Sequence, residues 1–140
     1  MNSLTYLRVK KNEMHTQVLY EMLENRKFNI SHNSLPTFDC HKNFVYNHPY
    51  RFWYLVMHDD IFIGNFYILS NNSVGIYIFF KPKVFIPIVI RHILHNFKPL
   101  KAVKSVREAV FDFNCSPKNK EFIYILNKMG AKISQFTFVF

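Results

Sequence analysis

Val74-Gly75-Ile76-Tyr77-Ile78-Phe79-Phe80 runs directly into Lys81-Pro82-Lys83, and Ile86-Pro87-Ile88-Val89-Ile90-Arg91-His92-Ile93-Leu94 follows. The first block is too short for an ordinary helix, is rich in β-branched and aromatic residues, and is bounded by Asn71-Asn72-Ser73. It reads as a buried central strand over 74–80. The last block carries apolar residues at helical spacing and tolerates Pro87 in a first turn, so a helix is expected over 86–97. The backbone N–H groups left open at such a helix start favour anions, and Lys81 and Lys83 place positive charge beside them. The strand, basic turn and helix describe either a phosphate site or a solvated connection.

Upstream of this unit, residues 4–9 alternate like a strand, and residues 13–23 put Met14, Val18 and Met22 on one helical stripe. The polar stretch 25–36 is long enough to be a functional loop. Ser34 or Thr37 is placed to cap a second helix running through Val45, with Asp39 in its first turn, and His48-Pro49-Tyr50 ends it. Residues 51–57 and 61–69 are strand-like and flank an Asp59-Asp60 turn, which makes a meander with the central strand. Downstream, Ala109, Phe111 and Phe113 alternate with Glu108, Val110 and Asp112, predicting a strand over 106–113. Asn114-Cys115-Ser116-Pro117 is expected to open the last helix, whose stripe is Phe122, Ile125, Leu126 and Met129 and whose left-handed cap is Gly130. Residues 132–140 are expected to close the fold as a strand.

The 140 residues, 49% hydrophobic and with 3 glycines, suit one compact domain over 1–140. Lys plus Arg number 18 against 9 Asp plus Glu, a formal charge of +9 spread along the chain. Such a field suits a polyphosphate, a nucleotide-linked molecule, nucleic acid or an anionic surface, and it does not choose among them. Cys40 and Cys115 stand far apart, so neither a disulfide framework nor a zinc site is indicated. The N-terminal residues lack the apolar block of a secretion signal, and no apolar run approaches a membrane span. A reduced cytoplasm is the expected setting. No Ser-His-Asp spacing, Walker loop or His-Glu-x-x-His motif occurs.

Ile63-Gly64-Asn65-Phe66-Tyr67-Ile68 and Asn72-Ser73-Val74-Gly75-Ile76-Tyr77-Ile78 look like the third and central strands of the GNAT superfamily of N-acetyltransferases. Asn114-Cys115-Ser116-Pro117-Lys118-Asn119, followed by Leu126-Asn127-Lys128-Met129-Gly130-Ala131, is similar to that family's asparagine-rich turn and its helix ending in lysine, an apolar residue and glycine. The order of elements resembles the same family over nearly the whole chain. The resemblance implies an α+β fold, with a mixed, mostly antiparallel sheet, a splayed parallel pair and helices on both faces.

It further implies acetyl-coenzyme A as co-substrate, wedged between the central strand and the strand ending at Asn114, with no metal. Ile76, Tyr77, Ile78 and Phe79 would face the pantetheine arm, Lys81 and Lys83 the phosphates, and Asn114 and Asn119 match the family's cofactor-side asparagines. Asparagines at such places also cap turns and helix starts. The turn at 81–87 holds no glycine, and Leu126 stands where many relatives carry a tyrosine that protonates the leaving thiolate. Tyr124 is therefore the nearest candidate acid.

On the acceptor side, His32 and His48 fall in the segments that flank a GNAT acceptor groove, and His48-Pro49-Tyr50-Arg51 is a stiff turn whose Arg51 can grip a carboxylate or phosphate. His48 and Tyr124 are the catalytic candidates; His32, His48 and Arg51 are the acceptor contacts. The expected activity is acetyl transfer to a small amine, a nucleotide-linked amino sugar being one such acceptor. The alternative is a GNAT-like binding module, weak in catalysis, whose basic surface meets nucleic acid or a protein partner.

Overall fold

The computed structural model describes residues 3–27 and 34–140. In chain order the elements are β1 (Thr5–Arg8), α1 (Glu13–Asn25), α2 (Phe38–Asn47), β2 (Phe52–His58), β3 (Ile61–Ile68), β4 (Ser73–Ile78), α3 (Pro82–Asn96), β5 (Asp112–Phe113) and α4 (Lys120–Lys128). The strands form one sheet in the order β1-β2-β3-β4-β5, antiparallel as far as β4 and parallel between β4 and β5. This is the expected mixed sheet of an α+β fold.

Local chemistry explains most boundaries. The Asn12 side chain accepts from the His15 N–H at 2.8 Å and starts α1, and the Thr37 hydroxyl accepts from the Cys40 N–H at 3.2 Å and starts α2. Between β2 and β3, Asp59 and Asp60 both take left-handed φ angles of 49° and 61°, the pattern a two-residue hairpin requires for its twist to match the strands. Opposite the hairpin Val56 pairs with Gly64 and Met57 with Phe62, so Ile63 is left over as a bulge. That extra residue lets Ile63 and Phe66 share one face of the sheet while Phe62, Asn65 and Tyr67 share the other. Helices cover both faces. Leu19 and Met22 of α1 and Val45 of α2 pack on Trp53 and Leu55, while Phe85, Val89 and Ile93 of α3 and Phe122 and Ile125 of α4 pack on Phe66, Ile68 and Val74.

Four expectations about element boundaries need correction. First, α3 begins at Pro82 rather than at 86. Lys81 adopts a left-handed φ of 44°, which reverses the chain, and Pro82 with its fixed φ starts the helix, so Pro87 lies inside α3 rather than in its first turn. Second, the strand expected over 106–113 reduces to Asp112–Phe113. The alternation is real, since Phe111 and Phe113 both pack on the core, but the backbone of the preceding segment is held by another device. The buried Asn72 side chain donates to the carbonyls of Leu100 and Glu108 and accepts from the Leu100 N–H, drawing the 97–111 connection around one amide. A tight turn with Ser105 at φ 64° and a bridge from Val103 to Arg107 completes it.

Third, α4 starts at Lys120 rather than near Pro117, capped by the Asn119 side chain on the Phe122 N–H at 3.2 Å. Its end is as expected: Gly130 at φ 90° donates to the Asn127 carbonyl and Ala131 to the Leu126 carbonyl, the paired bonds of a left-handed helix terminus. Fourth, residues 132–140 form no strand. The sheet edge they would join, β5, is two residues long and offers almost no ladder to extend.

Candidate active site

The parallel pair parts early. β4 meets β5 at Ser73↔Asp112 and Val74↔Phe113, and past Val74 the β5-facing edge of β4 has no ladder partner among the described residues. A cavity of about 1110 Å³ opens there. It is bounded on one side by Pro82, Ile86, Cys115, Ser116, Asn119 and Phe122, and it continues across β4 to a chamber under α1 and α2. Unpaired peptide groups along a strand edge seek partners, and a ligand bearing amides in an extended chain can supply them.

The chamber is aromatic. Cross-strand register puts Trp53 of β2 opposite Tyr67 of β3, and Tyr67 opposite Gly75 of β4. The Tyr67 ring occupies the space a side chain at Gly75 would need: a Cβ there would lie 2.2 Å from Tyr67 Cζ and 2.5 Å from its hydroxyl oxygen. Tyr50 stacks on Tyr67 with centroids 4.3 Å apart, Trp53 meets Tyr50 edge-on at 4.9 Å, and Phe44 of α2 closes on Trp53 at 5.8 Å. Trp53 is fixed by a donated bond to the Asn65 side-chain oxygen at 3.1 Å. Burial pushes the Tyr50 phenol up, with help from neighbouring Tyr67; it also raises Tyr67 and Tyr77, which the Arg26 guanidinium partly opposes. All three stay neutral phenols at ordinary pH.

Two further groups at the wall are quiet. The His41 ring donates from Nε2 to the Thr16 carbonyl at 3.1 Å, and burial lowers its basicity although that bond opposes the shift. Burial raises the Cys115 thiol, which keeps it protonated and unreactive.

The residues singled out in the sequence divide into two groups. Ile76, Tyr77, Ile78 and Phe79 line the cavity together with Asn119, which also caps α4. Asn114 is exposed and does not line the cavity. Lys81 is exposed at the cap of α3, its ammonium 5.2 Å from the centroid of the Phe80 ring. Lys83 faces a second, smaller cleft between α3 and α4, lined also by Arg91, Tyr124 and Lys128. Tyr124 is thus not brought to the central cavity, because α4 turns Glu121 and Phe122 toward it.

The turn at 48–51 sends Tyr50 into the chamber, but His48 and Arg51 are engaged elsewhere. His48 accepts from the Tyr50 N–H at 3.1 Å and sets its ring edge-on to Trp53 at 5.0 Å; burial and the nearby charges of Arg8 and Lys11 keep it largely uncharged. Arg51 donates to the Lys98 carbonyl at 3.0 Å and lies over Phe52 at 5.1 Å. Neither lines the cavity. His32 lies outside the described residues. What the sequence reading missed is the set Phe44, Tyr50, Trp53 and Tyr67. The signal was present in the alternation of Trp53 with Leu55 and Asn65 with Tyr67, but only the bulge at Ile63 and the register to Gly75 bring these rings together.

No known family's sequence pattern matches the chain, and no curated protein does. Solved structures do match. A structure described as a possible acetyltransferase from Clostridium difficile 630 superposes with a TM-score of 0.61 at 7% identity, covering 98% of this chain and 96% of that one. A mutant spermidine N-acetyltransferase from Vibrio cholerae gives 0.57 at 13% identity over 91% of this chain and 78% of that one. An aminoglycoside acetyltransferase from an uncultured soil metagenomic sample, solved in complex with sisomicin, gives 0.52 at 11% identity over 98% and 95%. At these identities the likeness establishes the fold alone, which this chain shares with these acetyltransferase structures. Among the described residues no group of His, Cys, Asp and Glu is arranged to hold a metal ion, and no helix is long and apolar enough to cross a membrane.

Proposed function

We propose that the protein transfers an acetyl group from acetyl-coenzyme A to a small primary amine. The observation that carries this reading is the parting of β4 from β5 after Val74, which leaves a strand edge facing a cavity that is continuous with the aromatic chamber. The pantetheine amides would bond to the open peptide groups of 75–78, and a β4 N–H would polarise the thioester carbonyl as the amine attacks. The amine nitrogen forms the new C–N bond, the C–S bond breaks, and the coenzyme leaves as a thiolate that takes up the proton the amine sheds.

The phosphates would lie toward the start of α3. There the left-handed Lys81 makes the sharp turn that a glycine makes elsewhere, and the ammonium groups of Lys81 and Lys83 supply charge. The acceptor would enter the aromatic chamber. A nucleotide-linked amino sugar is one acceptor that Arg51 would suit through a phosphate; with Arg51 held at the Lys98 carbonyl, the acceptor contacts are assigned instead to Tyr50, Trp53 and Tyr67.

Calorimetric titration tests the reading. Acetyl-coenzyme A and coenzyme A should both release or absorb heat on binding and raise the melting temperature, because a ligand selective for the folded state stabilises it. Pantetheine lacking the phosphates should bind more weakly than coenzyme A, and Lys81→Ala with Lys83→Ala should erase that difference. Absence of heat and of a thermal shift at millimolar acetyl-coenzyme A would overturn the assignment.

A further inference from the structure

We propose that the acceptor is an arylalkylamine, an amine carried on a flat aromatic body, and that its ring seats against the face formed by Tyr50, Trp53 and Tyr67. The inference rests on the acetyl-transfer reading and narrows its acceptor. Tyr50 and Tyr67 lie parallel within 9°, and Phe44 and Trp53 stand edge-on around Tyr50 at 5.4 Å and 4.9 Å. Such a surface rewards offset stacking and edge contacts from a planar guest. It leads to Gly75, where the absence of a side chain lets Tyr67 lie against β4, at the start of the open edge at 75–78. A ring on this face with a short alkyl arm would therefore place its nitrogen near the point where the thioester carbonyl is expected.

Charge argues against the polycations named for two of the superposed structures, spermidine and an aminoglycoside. Among the described residues the acidic side chains lining the cavity are Glu21 and Glu121, both exposed, and Arg26 and Lys27 line it as well. The chain as a whole carries +9. A ligand with several ammonium groups would gain few carboxylate partners and would meet like charge. An amine with a single nitrogen meets a smaller penalty, and the basic residues and apolar walls together favour its uncharged, nucleophilic form. The hydroxyls of Tyr50, Tyr67 and Tyr77 have no hydrogen-bond partner among the described residues, so they remain able to meet a ring substituent or the amine itself.

Trp53 is the single tryptophan of the chain, so its fluorescence reports on the chamber directly and without turnover. Phenethylamine, which does not emit at tryptophan wavelengths, should change Trp53 emission saturably, while spermidine should not. In steady-state assays with acetyl-coenzyme A, phenethylamine and tyramine should exceed spermidine and sisomicin in kcat/KM by at least about tenfold. Tyr67→Leu should raise KM for phenethylamine about tenfold with kcat little changed, and calorimetry with acetyl-coenzyme A would confirm that the variant is folded. Equal or better turnover of spermidine or sisomicin overturns the proposal and leaves acetyl transfer standing. Lack of any saturable Trp53 response to phenethylamine or tyramine overturns it as well. A saturable response without heat from acetyl-coenzyme A supports the chamber's ligand class and removes the transferase reading.

Discussion

The two edges of β4 are made from the same six residues and meet very different neighbours. Toward β3 the antiparallel ladder runs without interruption from Ile68↔Val74 to Gly64↔Ile78. Toward β5 the parallel contact ends at Val74↔Phe113. The difference shows how the fold divides its labour. On the β3 side backbone bonds and buried side chains hold the protein together, and Gly64 is needed there because a Cβ would sit 2.0 Å from the Tyr77 carbonyl oxygen. On the β5 side the backbone is left open past Val74, and β5 itself is only two residues long. Stability should therefore be concentrated at one edge and ligand chemistry at the other.

The largest effect should come from the well-packed side. Phe85 is 1% exposed, packs with the core under the sheet and meets the His58 ring at 4.7 Å. Phe85→Ala removes a large buried ring and leaves a cavity, so it should cost about 3 to 5 kcal/mol in urea unfolding. A loss below about 1 kcal/mol would mean that α3 is not fastened to the sheet as described. A smaller and more local effect should follow at the open side. Asn72 is fully buried, sits at φ 71°, and its amide makes three of the bonds that tie the 97–111 connection to the start of β4, through Leu100 and Glu108. Asn72→Gly keeps that backbone conformation accessible and deletes only the side-chain bonds. It should cost about 1 to 3 kcal/mol and speed amide exchange chiefly in 98–111. Uniform acceleration across β2 and β3 would instead show that the two edges are one cooperative unit.

The same asymmetry explains what could be read from the sequence. Strands β2, β3 and β4 were legible because each buries alternate residues on both faces, and the Asp59-Asp60 turn between β2 and β3 is strong local chemistry. The gap between β4 and β5 was legible as a place, through 74–80 and the resemblance of 114–131. The aromatic chamber beside it was not. His48 and Arg51 looked functional because a compact basic turn suggests binding, yet each is engaged outside the cavity, one under Trp53 and one at Lys98. The rings that form the chamber looked like ordinary core, since nothing local reveals that a bulge at Ile63 aligns Tyr67 with Trp53 or that the β3–β4 register sets Tyr67 against Gly75. Likewise, the alternation at 108–113 and 132–140 marks strand propensity, but a ladder also needs a partner of matching length, and that information is not local.

The smallest effect should come from the far end of the open side. Residues 132–140 contain Ile133, Phe136, Phe138, Val139 and Phe140, all at least 70% exposed, and their only described ring contact is Phe136 with Phe138 at 6.5 Å. The last backbone bond joining this end to the rest runs from the Ala131 N–H to the Leu126 carbonyl, and it belongs to the terminus of α4. Removing 132–140 while keeping Gly130 and Ala131 therefore deletes apolar surface that is already in water and spares the helix cap. The unfolding midpoint should move by less than about 0.5 kcal/mol equivalent, and solubility should rise, because exposed apolar segments promote association. Cutting two residues earlier, so that Gly130 and Ala131 are lost as well, should cost more, since the Asn127 and Leu126 carbonyls then lose their partners. Thermal and urea unfolding of the two truncations, side by side, checks the ordering. A loss above about 1 kcal/mol from the shorter deletion would show that these side chains bury against the folded protein, and the open edge beside β5 would then have to be redrawn as a covered one.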